Sequence, residues 1–225
     1  MRRCVIAASI LSACGLACIP ENIEEPTVSP YPVYTVHARA ARRTHENAVK
    51  SAPHKAPART LRSWHPRAAR ISSRWTTIVI HHSGTSSGGA KTFDRHHREH
   101  NGWDELGYHF VIGNGTATPD GFVEVGSRWH KQKHGAHCKT PDNYYNEHGI
   151  GICLVGNFDR TKPTARQMAS LERLLRYLCT VCKISPRQIT THRGVTGKTR
   201  CPGRNLSLTA LRRAMTARTK TLHRR

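Results

Sequence analysis

The chain has 225 residues, 37% of them hydrophobic, and a formal net charge of +22 with a pI near 10.5. That length suits one domain of ordinary size with extensions, and the low apolar content implies that part of the chain lies outside any packed core. Collagen periods, Gln/Asn tracts and solenoid repeats are absent, and so basic a surface should attract polyanions such as nucleic acid, anionic lipid or acidic wall polymers.

Met1-Arg2-Arg3 is a basic start, and Cys4 to Pro20 carries no charge. The uncharged run is close to the lower limit for spanning a bilayer, ~17–25 residues, and ends in small residues, so residues 1–18 read as an export signal. "LSAC", ending at Cys14, resembles a lipoprotein processing box, with Cys18 as a second position. An acyl chain there and a polybasic segment would supply the two signals that stable membrane attachment requires. The expected location is therefore outside the cytoplasm: periplasmic, membrane-anchored as a bacterial lipoprotein, or secreted. Residues 19–73 are rich in proline and scattered arginine, and read as a disordered basic linker.

Order is expected from Trp75. "WTTIVIHHS" is a β-branched run ending in a polar cluster, which reads as a strand. Thr92 to His100 is helical and stops at Asn101-Gly102. "GYHFVIG" reads as a strand with Tyr108, Phe110 and Ile112 on one face and His109 and Val111 on the other. Turns at Asn114-Gly115 and Asp120-Gly121 precede the strand "GFVEVG". "HGIGICLVGNF" is almost continuously apolar, as in a central strand covered on both faces. Thr164 and Gln167 form a capping box ahead of a helix whose core face is Leu171, Leu174, Leu175 and Leu178. "QITTH" is a last short strand, and 212–225 is a basic tail or final helix. The predicted class is α/β: a single domain over 74–211 with a mixed central β-sheet flanked by helices.

Cys138, Cys153, Cys179, Cys182 and Cys201 lie outside the export segment, an odd number, so at least one is unpaired within a monomer. Cys179 and Cys182 fall at the end of the leucine helix and read as core packing or a local disulfide. His81 or His82 ends the first strand, His192 ends the last, and Cys201 follows in the next loop. Adjacent strand residues face opposite ways, so only one of the paired histidines can join the others. Two imidazoles and a thiolate with a fourth position open suit one Zn²⁺ ion.

"IVIHHSGT", "GWDELGYHFVIG", "HGAH", "NEHGIGICLVGNF" and "THRGVTGKTRCPG" occur in an order and spacing that resemble the zinc N-acetylmuramoyl-L-alanine amidases, which include phage amidase-type lysozymes and peptidoglycan recognition proteins. The similarity runs from Trp75 to about Leu208. It implies His81, His192 and Cys201 as metal ligands, with His82 pointing away. It implies Tyr108 and either Thr199 or Lys198 as catalytic donors, and His137 and Asn146 as substrate-binding residues. His97 and Trp103 match packing positions. Some branches carry a glutamate base where this chain has Cys153, so the branch using tyrosine with lysine or threonine is the better match.

The resemblance implies hydrolysis of the amide between N-acetylmuramic acid and L-alanine in peptidoglycan by a monomeric zinc amidase. Protonation of the leaving amine would fall to His137 or Tyr108 through water. A noncatalytic peptidoglycan-binding protein on the same fold is the alternative, although such relatives usually lack a zinc ligand. Specific nucleic-acid binding is not expected, because the basic residues flank the domain and no interleaved aromatic platform exists.

Overall fold

The computed structural model describes residues 63–222. The export segment, Cys14, Cys18 and the linker as far as residue 62 lie outside the described residues. No helix among the described residues is long and apolar enough to cross a membrane.

The β-branched and apolar runs form one five-stranded sheet: β1 (Thr77–His82), β2 (Phe110–Ile112), β3 (Val123–Val125), β4 (Gly149–Leu154) and β5 (Ile189–Thr191), in the order β3-β2-β4-β1-β5. β4 and β5 run parallel to β1, β2 runs parallel to β4, and β3 runs antiparallel to β2. The sheet is mixed, as the alternation of strand and helix signals predicts. Its helices are α1 (Ala90–Asn101), α2 (Ser127–Lys131), α3 (Tyr144–Glu147), α4 (Ala165–Val181), α5 (His192–Thr196) and α6 (Leu208–Leu222).

The two faces of the sheet have different work. On one, Ile78, Ile80, Phe110, Ile112, Ile150, Ile152 and Leu154 meet the leucine stripe of α4 in the larger core. Each fully buried Leu there contributes ~1.5–3 kcal/mol relative to an exposed one. The α4 capping box forms as expected: Thr164 Oγ1 accepts from the Gln167 N–H and Gln167 Oε1 from the Thr164 N–H. Gln167 also donates to the carbonyls of Ile112 and Val155, which ties the first turn of α4 to the strand ends. On the opposite face Phe93 of α1 packs with Leu106, Val111, Cys153 and Val155 in a smaller cluster. This smaller cluster leaves room for a site.

Two sequence expectations need correction, and one open choice is resolved. Residues 63–73 are not linker: Trp64 is in the larger core, and its carbonyl accepts the Trp129 indole N–H. Of the two readings of the stretch beyond 211, tail or final helix, the helix forms: α6 runs to Leu222 and Met215 is buried in the same core. Both apolar side chains lie in sequence backgrounds so basic that their local patterns are hidden. Finally, β2 begins only at Phe110, so strand alternation does not reach Tyr108, which packs with Val111 rather than with Phe110 and Ile112.

Candidate metal centre

β1 presents its two histidines to opposite sides. His82 turns toward Phe158, whose N–H it accepts at Nδ1 over 3.1 Å. His81 lies on the face of the smaller cluster, beside Cys153 in the β1–β4 register. Its ring sits 4.9 Å from that of His192 and 5.3 Å from that of Tyr108.

His192 does not end a strand: β5 stops at Thr191, and His192 opens α5. Thr191 caps that helix by accepting the Gly194 N–H, and Gly197 closes it in the left-handed region. The chain then returns to the site. The Arg193 N–H donates to the Cys201 carbonyl, and the Cys201 N–H donates to Thr199 Oγ1. Gly203 lets the loop come this close, because a Cβ there would stand 2.4 Å from the Phe158 carbonyl carbon.

One ligand atom each from His81, His192 and Cys201 lie within 4.8 Å of one another. Among the described residues no other group of three such side chains converges in this way. Cys201 Sγ is 3.7 Å from His81 Nδ1 and accepts the His82 N–H over 3.3 Å.

Beside this cluster lies a cavity of about 410 Å³, lined by residues that include Trp103, Lys139, His192, Lys198 and Thr199. His137 and Asn146 border it too, but both are largely buried. Asn146 Oδ1 accepts the N–H groups of His137 and Cys138, so its carbonyl end holds the loop in place.

A family model for N-acetylmuramoyl-L-alanine amidase matches residues 71–204. The chain belongs to this family. The endolysin of Enterobacteria phage T3 is 34% identical over 137 residues, 57% of this chain and 81% of the phage protein. The solved N-acetylmuramoyl-L-alanine amidase LysC from Clostridium intestinale superposes with a TM-score of 0.53 at 30% identity, covering 65% of this chain and 89% of LysC. A pig N-acetylmuramoyl-L-alanine amidase is 35% identical over 74 residues, 33% of this chain and only 10% of the pig protein.

In this amidase-family site the donor set fits a metal ion of zinc's kind. Burial holds the His81 imidazole well below its usual pKa, and neighbouring His137 and His192 lower it further, so the ring is neutral and able to act as a ligand. Burial pushes the Cys201 thiol up to about 12, against the opposing pull of the His82 N–H. A thiol so placed requires a cation beside it to ionise at neutral pH. Cys153 is wholly buried, its thiol also pushed up by burial, and it bonds with Tyr108. No carboxylate lines the cavity.

Sequence reasoning missed three contributors. His109, fully buried, accepts the Gly151 N–H at Nδ1 and bonds the Lys133 carbonyl through Nε2. Arg128 donates to the carbonyls of Leu106 and His134 and pairs with Asp104, anchoring two loops that border the site. Glu124 of β3 accepts the Ala90 N–H and so serves the start of α1, which has no side-chain cap of its own. Of the three, only Glu124, an acid inside the apolar run FVEV, stands out in the sequence.

Proposed function

We propose that the protein is a zinc-dependent amidase that hydrolyses the bond between N-acetylmuramic acid and L-alanine in peptidoglycan. The observation that carries this reading is the convergence of His81, His192 and Cys201 beside an open cavity in a chain of the amidase family. His81, His192 and Cys201 would hold the ion. When bound, it supplies Lewis acidity toward the amide carbonyl and toward the attacking water.

The chain's own side chains do the rest. Tyr108, whose ring centroid is 5.3 Å from that of His81, is taken as a donor because it matches the family's tyrosine. Thr199 uses its oxygen to accept the Cys201 N–H, which leaves the hydroxyl proton available to a developing oxyanion. Lys198 lines the same cavity and brings positive charge to it. Two lysines and no acid in the lining suit a stem peptide that carries carboxylates. Trp103 offers an aromatic wall.

The same reading assigns residues 1–18 to export, with acylation at Cys14 in preference to Cys18, and places the monomeric enzyme at the cell wall. The noncatalytic alternative is disfavoured because all three ligand positions are filled by ligating residues.

The test is digestion of purified peptidoglycan with and without a chelator, with mass analysis of the products. Wild type should hold about one zinc, as three-ligand catalytic sites do, and release peptides with free L-alanine amino termini. Cys201→Ser should lose most of the metal and the cleavage together. Cleavage by metal-free wild type would end the reading, and binding without cleavage would favour the alternative.

A further inference from the structure

We propose that His137 is a positioning residue for the metal ligand His81, accepting the proton on His81 Nε2 and so presenting a bare Nδ1 to the metal. This rests on the zinc reading above and assigns His137 a role other than substrate binding or proton delivery.

The chain of bonds begins at a backbone carbonyl. His137 Nε2 lies 3.1 Å from the Gly149 oxygen. A carbonyl can only accept, so this nitrogen carries the proton. In a neutral ring the other nitrogen, Nδ1, is then an acceptor. It lies 3.1 Å from His81 Nε2, which must therefore be the donor. His81 in turn has its lone pair on Nδ1, the atom 3.7 Å from Cys201 Sγ. One carbonyl of β4 thus sets the tautomer of two rings in series. Both ring nitrogens of His137 are engaged, so it has none left to protonate a leaving amine.

The ring is also held mechanically. A Cβ on Gly135 or on Gly151 would stand 2.4 Å from His137 Cδ2, so the ring fits only because both neighbours are glycine. Asn146 fixes the backbone on which the ring is mounted. His109 closes the pocket from below with ring centroids 5.8 Å apart. Both rings are buried, so water does not compete for the nitrogens in this chain of bonds.

The test uses the full chain. His137→Phe keeps the ring volume and removes the acceptor, whereas His137→Asn retains an acceptor close to the Nδ1 position. Zinc affinity, measured by competition with a chromogenic chelator, should fall roughly 10–100-fold in the phenylalanine variant, the usual effect of losing an outer-shell partner. The asparagine variant should recover a large part of that loss. Imidazole ¹⁵N spectra of wild type should show His81 and His137 both protonated at Nε2. This second readout needs no variant to fold. Unchanged zinc affinity in His137→Phe, or a proton on His81 Nδ1, overturns the proposal while leaving the zinc enzyme intact. A wild type that takes up no zinc overturns the ligand assignment itself.

Discussion

Lowering the pH from 7 to 5 should destabilise the metal-free protein, and His109 sets the scale. This ring is fully buried and accepts the Gly151 N–H through Nδ1, a bond that protonation would abolish. Burial lowers its pKa from 6.5 to about 3, with the nearby Arg128 charge adding to the effect. The unfolded chain therefore takes up the proton first. Stability is complete above pH 6.5 and falls as the pH drops toward 3. Between pH 7 and pH 5 linkage puts the loss from this one ring at about 2 kcal/mol, a sizeable part of a typical domain stability of ~5–15 kcal/mol. His97, which accepts the Gly107 N–H and is lowered to about 4, acts with the same sign. So do His81 and His137 when no metal is bound, which makes the His109 figure a lower limit. The paired carboxylate of Asp104, lowered to about 2, stays ionised throughout this range. The assay is denaturant unfolding in excess chelator at several pH values, with the slope m held as a check on two-state behaviour. An unfolding free energy that stays level from pH 7 to pH 5 would refute the account of these histidines as buried neutral acceptors.

Replacing Thr164 by alanine removes the cap that accepts the Gln167 N–H and its bond to Asp120 Oδ1, and should cost about 1 kcal/mol in the same unfolding assay. Gly203→Ala places a Cβ 2.4 Å from the Phe158 backbone at a φ of 90°, so the Cys201 loop must shift. The expected result is a loss of about 1–3 kcal/mol, read as a lower thermal midpoint, together with weaker zinc binding by chelator competition. If both quantities stayed at their wild-type values, the loop would not be held against Phe158 as described.

Much of the architecture was legible in short-range patterns because those patterns are local physics. The β-branched runs at Thr77–His82 and Gly149–Leu154 and the leucine period of α4 each report one element's own burial. The capping box at Thr164 and the stop at Gly102 report hydrogen bonds made within a few residues. Five ordered motifs likewise pointed to the family, and to His81, His192 and Cys201 together. Three decisions lay beyond the reach of such patterns. Strand alternation did not say which histidine of the pair faces the site; the family resemblance chose His81, and the β1–β4 register sets it beside Cys153. Which way Tyr108 points depends on β2 starting two residues later. The orientation of His137 depends on Gly135, Gly149, Gly151 and Asn146, which belong to segments folded against one another. Sequence alone determined which side chains are available to bind a metal; tertiary structure decided that they meet and that His81 turns its Nδ1 toward Cys201 and its Nε2 toward His137, because a ring's orientation is set by the partners that other parts of the chain place beside it.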